Sequence, residues 1–211
     1  MKEITTLLFD IDGTVLDTSE FILQPTEHAL ASVGYPVPSR EVIKSKVGIP
    51  FPEYYIELTG SDKDADVLVD IHRAFQRENF RLAKIFPGAL ETLQYLKNKG
   101  YKLAAVTGRS NQTSLQTLKD AGVFDLFDVV LSKESTIEQK PHPAAILKAL
   151  EHFSEVPERV VMIGDSHLDI LAGKNAGTKT IRVTYGFHAD NLHDPEPDFF
   201  IDDITELLSI L

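Results

Sequence analysis

The sequence predicts an α/β fold: a parallel sheet flanked by helices, interrupted once by an inserted all-helical subdomain. Three observations lead there. Five short apolar runs, at residues 6–9, 103–106, 129–131, 160–163 and 180–183, have the character of strands covered on both faces. From residue 87 onward these runs alternate with helix-period segments, the order that a parallel sheet requires. Between the first two runs lie more than ninety residues, most of helical pattern. A crossover needs only about a dozen residues, so the surplus reads as an insert.

The elements follow in order. The first run, Thr6-Leu7-Leu8-Phe9, leads directly into Asp10. The insert, residues 16–85, holds four helical candidates at 20–33, 40–46, 52–58 and 62–80, leaving residues 1–15 and 86–211 for the sheet domain. Segment 87–99 aligns Leu90, Leu93 and Leu96 on one face, with Pro87 near its start and Gly100 just past its end. Segment 110–121 carries Leu115 and Leu118 before Gly122, and 143–153 carries Ile146, Leu147 and Leu150. Segment 167–176 stops at Gly177. Residues 199–201 form a sixth, weaker strand candidate, and the proline-rich patch 193–197 reads as a surface loop.

With 211 residues, the chain is long enough for one domain carrying an insert. A net charge of −11 opposes binding to nucleic acid or to an anionic membrane surface. A small anionic substrate remains compatible if cations reverse the field in one cleft. The absence of cysteine excludes disulfides, thiolate nucleophiles and cysteine-ligated metal sites. The first residues lack the pattern of a signal peptide, and no apolar run approaches the roughly 18 residues of a membrane span. A soluble, cytoplasmic protein is expected.

Chemistry-bearing residues recur where strands end. Asp10 and Asp12 close the first run, followed by Gly13-Thr14. Thr107-Gly108-Arg109-Ser110 closes the second and opens a helix, whose first amides can seat a phosphate. Gly164-Asp165 closes the fourth, with Asp169 four residues on. Lys140 stands in Lys140-Pro141-His142-Pro143, just before a helix. Taken singly, each has a plain structural explanation: an Asp or Ser capping a helix, a solvated Lys. Taken together they fall at one sheet edge, where open α/β sheets bind ligands.

These stretches resemble the four motifs of the haloacid dehalogenase superfamily of phosphohydrolases, in order DIDGTV, VTGRS, the Lys of QKPHP, and GDSHLD. The likeness spans the whole chain, including the helical cap after the first motif, and is strongest to the phosphoglycolate phosphatase-like branch. It implies a Rossmann-like core with a cap, and Mg²⁺-dependent hydrolysis of a small phosphorylated metabolite. Asp10 is implied as the nucleophile that forms an aspartyl-phosphate, and Asp12 as the acid and then the base. A carboxylate at Asp12 separates phosphatases and phosphomutases from dehalogenases, whose departing halide needs no acid. The carboxylates of Asp10 and Asp165 and the carbonyl of Asp12 are implied as Mg²⁺ ligands, with Asp169 holding metal-bound water or orienting Lys140. Thr107, Gly108 and Lys140 are implied contacts of the phosphoryl group. One departure is Gly108-Arg109, where many members carry Asn after the hydroxyl residue.

Within the insert, Arg73, Arg77 and Arg81 recur at helical spacing. They read as a solvated face paired with Asp66, Asp70 and Glu78, against the alternative of a second anion contact. Residues 47–51, Val-Gly-Ile-Pro-Phe, resemble the cap loop that meets the active site in relatives. The seven histidines show no metal-binding spacing. Phosphoglycolate is the first substrate expected, with an inorganic pyrophosphatase or sugar-phosphate mutase as the alternative. A receiver-type phospho-acceptor would need an Asp after the third strand, where Leu131-Ser132-Lys133-Glu134 stands. A catalytically inert relative would not be expected to keep every motif residue.

Overall fold

The computed structural model describes residues 3–187 and 195–211. In chain order the elements are β1 (Thr6–Phe9), β2 (Leu16–Asp17), α1 (Ser19–Val33), α2 (Arg40–Lys44), α3 (Glu53–Thr59), α4 (Ala65–Glu78), β3 (Lys84–Ile85) and α5 (Ala89–Asn98). Then follow β4 (Lys102–Val106), α6 (Asn111–Asp120), β5 (Val129–Leu131), α7 (Ala144–Phe153), β6 (Val160–Gly164), α8 (His167–Ala176), β7 (Lys179–Val183), β8 (Phe199–Ile201) and α9 (Leu207–Ile210). None of the helices is long and apolar enough to cross a membrane, among the described residues. The chain divides into two compact units, Met1–Asp17 with Lys84–Leu211, and Thr18–Ala83.

The first unit is built on a six-stranded parallel sheet in the order β5-β4-β1-β6-β7-β8. Strand β1 is central because its residues are apolar on both sides of the pleat: Leu7, Leu8 and Phe9 are all fully buried. One face, with Leu8, Ala104, Val106, Val160 and Met162, packs on Ile146, Ala149 and Leu150 of α7 and Ala172 and Ala176 of α8. The alternate residues Leu7, Phe9, Leu103, Ala105, Val161 and Ile163 are equally buried. The chain builds outward from β1 through β4 to β5, then returns to β6 on the other flank. The strand order therefore reverses at β1, the switch point beyond whose strand ends open α/β sheets bind ligands.

The weak candidate at 199–201 is strand β8, in register with β7. Helix α5 starts two residues later than its apolar pattern suggests, because Gly88 adopts φ 75° just before it. The antiparallel pair β2–β3, Leu16 to Ile85 and Asp17 to Lys84, is too short for any periodicity to reveal. With that pair, the sheet unit takes in residues 16–17 and 84–85, which the sequence reading placed in the insert. His188, and His193 in the proline-rich patch, lie outside the described residues.

The second unit is helical, with α1 packed along α4. Its core joins Leu23, Ala29, Leu30, Ile43, Tyr54, Tyr55, Leu68 and Val69. Helix α1 contains Pro25, which lacks the N–H that the carbonyl of Phe21 would accept. Gln76 Nε2 of α4 donates to that carbonyl instead, at 3.0 Å. Buried polar groups pair in the same way: the Tyr55 hydroxyl meets His72 Nδ1 at 2.9 Å, and Thr26 Oγ1 meets the Tyr54 hydroxyl at 2.9 Å. Burial pushes the Tyr54 hydroxyl up to about 12, against the Thr26 bond that lowers it.

The basic stripe of the insert differs from the expectation. Arg81 lies past the end of α4, in the helical turn Phe80–Leu82, so the basic stripe is Arg73 and Arg77 alone. Both are exposed, and Arg73 stands over the Phe51 ring rather than in an ion pair with Asp66 or Asp70. Ile49 and Phe51 of the 47–51 loop pack against the apolar core of their own unit.

Candidate active site

Asp10, Thr107 and Asp165 each follow the last residue of a strand, Asp169 lies in the first turn of α8, and Lys140 comes from the stretch between β5 and α7. Asp10 leaves β1 with its N–H donated to the Ile163 carbonyl at 2.8 Å. The chain then turns within six residues, Gly13 N–H donating to the Leu16 carbonyl at 2.9 Å. Gly13 has φ +74°, and a Cβ there would stand 2.3 Å from Asp165 Oδ2, so the turn and the neighbouring carboxylate both exclude a side chain. Gly186 is constrained by the same carboxylate, its hypothetical Cβ 2.4 Å from Asp165 Oδ2. These two glycines let the backbone close around Asp165, whose Oδ2 accepts the Phe187 N–H at 2.7 Å.

Lys140 joins the strand ends. Its Nζ donates to Asp10 Oδ1 at 2.9 Å, to Asp169 Oδ1 at 2.5 Å and to the Val106 carbonyl at 3.2 Å. Burial works to lower the Lys140 ammonium, but Asp10 and Asp169 outweigh it and hold it above its ordinary value. Asp169 is fully buried, and its Oδ2 accepts from the Ser166 N–H at 3.1 Å and Ser166 Oγ at 2.5 Å. It is thus both a member of the capping box of α8, opposite Ser166, and the anchor of Lys140, so the structural and functional readings of this carboxylate coexist.

Carboxylate oxygens of Asp10, Asp165 and Asp169 lie within 4.8 Å of one another, all three residues buried. Burial, and then the charges of Asp169, Asp12 and Asp165, push the Asp10 carboxyl well above the usual carboxylate range, with Lys140 opposing. The donors are hard anionic oxygens with no nitrogen or sulfur among them, the set that suits Mg²⁺. These residues fit a divalent cation. Both Asp169 oxygens are already engaged by Lys140 and Ser166, which leaves Asp10 and Asp165 as the carboxylates better disposed to one.

The Asp12 carboxylate is turned elsewhere: Arg109 Nη2 lies 2.5 Å from its Oδ1. Thr107 follows β4, buried, and its Oγ1 accepts the Arg109 N–H at 3.2 Å. The expected anion seat of amides at the start of α6 is narrower than the sequence suggests. The Thr107 N–H bonds the Leu131 carbonyl at 2.9 Å, and the Asn111 N–H bonds Glu134 Oε2 at 2.7 Å. A protein carboxylate already occupies that helix end, where the dipole favours an anion. Ser110, not Thr107, caps α6. Gly108 is exposed beside Thr107, with open space where a Cβ would stand.

One participant escaped the sequence reading. Arg182 on β7 is buried, its Nε donating to the Asp165 carbonyl at 3.2 Å. Burial lowers its guanidinium, opposed by Asp165 and Asp169. The available signal was a charged residue inside the apolar run Thr180-Ile181-Arg182-Val183.

Known proteins resemble this chain along its whole length. The chain is 34% identical over 211 residues to the pyrophosphatase PpaX of Bacillus mycoides, covering 99% of this chain and 97% of that one. It superposes with a TM-score of 0.94 on a predicted phosphoglycolate phosphatase from Haemophilus somnus, at 26% identity, covering 100% of this chain and 99% of that one. A haloacid dehalogenase-like family hydrolase from Streptococcus pneumoniae gives a TM-score of 0.89 at 27% identity, with 100% and 99% of the two chains covered. The family model of the haloacid dehalogenase-like hydrolases matches residues 7–183, nearly the whole span from β1 through β7, and the chain belongs to that family.

Proposed function

We propose that this chain is a Mg²⁺-dependent phosphohydrolase acting on a small phosphorylated metabolite, with Asp10 as nucleophile. The observation that carries this reading is the meeting of Asp10, Lys140, Asp165 and Asp169 in one buried cluster where the strand order reverses. An Asp10 oxygen forms a bond to phosphorus while the bond from phosphorus to the leaving oxygen breaks. Asp12, two residues on, gives that oxygen its proton. Water then attacks the aspartyl-phosphate, its proton passes to Asp12, and the bond to Asp10 breaks. Lys140 and the Thr107 hydroxyl face the charge on the transferring group. Asp10, Asp165 and the Asp12 carbonyl would hold Mg²⁺, which when bound neutralises the carboxylates and the phosphoryl oxygens.

Phosphoglycolate is the first substrate to test. Inorganic pyrophosphate is the second, favoured by the relatives that carry the pyrophosphatase name. A net charge of −11 supports a small-molecule partner over a nucleic acid and is compatible with a cytoplasmic protein. Asp10→Asn tests the reading. Phosphate release from p-nitrophenyl phosphate should fall at least a thousand-fold, with the circular dichroism spectrum unchanged. Undiminished release would remove Asp10 as nucleophile, and an isomer in place of free phosphate would make the enzyme a mutase.

A further inference from the structure

We propose that Arg109 selects substrates whose leaving group carries its own negative charge, exchanging its contact with Asp12 for that anion. The inference rests on the phosphohydrolase reading above and adds a substrate class to it. The starting observation is the ion pair of Arg109 Nη2 with Asp12 Oδ1 at 2.5 Å, its side chains 12% and 21% exposed. If Asp12 protonates the leaving oxygen, the leaving group must come within hydrogen-bonding distance of Asp12, and so beside the guanidinium that Asp12 holds. Arg109 is well anchored for such a role. Its N–H is held by Thr107 Oγ1 at 3.2 Å, and its carbonyl accepts the Lys133 N–H at 2.7 Å. Its backbone is therefore set on both sides of the peptide while the side chain reaches Asp12.

Charge assigns the task to Arg109. An anionic leaving group entering beside the Asp12 carboxylate meets a like charge. Lys140 is committed to Asp10 and Asp169, and Arg182 to the carbonyl behind Asp165. Arg109 stands on the Asp12 side, and a guanidinium fork matches the paired oxygens of a phosphate or a carboxylate. Pyrophosphate departs as phosphate, and phosphoglycolate departs as a molecule bearing a carboxylate. Both substrates thus present the same feature to Arg109, whereas p-nitrophenyl phosphate presents an apolar ring. A site built around a charged contact discriminates strongly against substrates that lack it, because its own polar groups are then left unmatched.

The experiment compares wild type, Arg109→Gln and Arg109→Lys on pyrophosphate, phosphoglycolate and p-nitrophenyl phosphate. A second arm measures binding of methylenediphosphonate, an uncleavable diphosphate, by calorimetry. Arg109→Gln should lower kcat/KM for the two anionic-leaving-group substrates at least ten-fold more than for p-nitrophenyl phosphate. Arg109→Lys should recover part of that loss, and methylenediphosphonate should bind Arg109→Gln at least ten-fold more weakly. Equal losses on all three substrates, or unchanged binding of the analogue, would overturn the proposal and leave Arg109 as a positioning partner of Asp12. If wild type releases phosphate from none of the three, the phosphohydrolase reading fails, and the binding arm alone decides Arg109 by the same criterion.

Discussion

Asp10 shows how a single side chain bears two opposing demands. Its position against Lys140 favours the carboxylate, while burial and three neighbouring acids favour the carboxylic acid, and the second set prevails. Linkage then fixes the sign of an effect on stability. A carboxyl raised in the folded state binds more protons folded than unfolded, so stability declines as pH climbs from its ordinary value of 3.8 towards the raised one. Asp10→Asn removes that term. In metal-free protein the variant should melt close to wild type below about pH 3.8 and above it at neutral pH. Thermal melts across this range check it, and a variant less stable than wild type at pH 7 would refute the assignment. The acid motifs themselves were legible in the sequence, because their residue types and strand-end spacing are local properties. The ion pair of Arg109 with Asp12 was not, because it joins residues nearly a hundred positions apart whose meeting depends on β4 lying beside β1.

At the scale of elements, the helical unit illustrates how one irregularity is compensated by another helix. Pro25 stays buried within α1, and the Phe21 carbonyl, which cannot receive a Pro25 N–H, accepts from Gln76 of α4. Removing the donor takes one hydrogen bond from that carbonyl, a loss of about 0.5–1.5 kcal/mol. Gln76→Ala should therefore lower unfolding stability by about that amount. The cost should shrink in a Pro25→Ala background, where the backbone N–H returns. A double-mutant cycle measures this coupling, and additive losses would show that Gln76 acts elsewhere. Helix periodicity found α1 and α4 but carried no information on Gln76, since a polar residue at one turn of a helix looks the same whether solvated or donating. The shortened basic stripe has a related cause. Arg81 keeps the spacing of Arg73 and Arg77 in sequence, but the chain leaves the α-helix at Asn79, so the spacing no longer places it on that face.

At the scale of the whole molecule, the reversal of strand order at β1 is what turns scattered residues into a site. Strands β4 and β6 flank β1, so Thr107, Asp10 and Asp165 leave the sheet at adjacent strand ends. If Asp10 and Asp165 hold a divalent cation, binding to the folded state alone must stabilise it by mass action, about 2.7 kcal/mol at a hundred times Kd. The melting temperature of wild type should rise steadily with Mg²⁺ concentration, and that of Asp165→Asn should rise far less. Differential scanning calorimetry in a Mg²⁺ titration gives the answer, and equal shifts in both proteins would exclude Asp165 from the cation site.

By itself the sequence determined the strands of the main sheet, the alternation that makes them parallel, the presence of a helical stretch between the first two of them, and the acids and hydroxyl at strand ends with the lysine ahead of α7. All of these are written in local pattern: apolar runs, a helical periodicity of about 3.6 residues, and turn-forming glycines and prolines. Tertiary structure alone decided which partners those residues have. It put Arg182 behind Asp165, gave the start of α6 to Glu134 instead of leaving its amides open, and drew Arg109 onto Asp12. The physical reason is that a charged side chain takes whichever opposite charge or dipole the packing brings within reach, and that proximity is a property of the tertiary arrangement rather than of neighbouring residues.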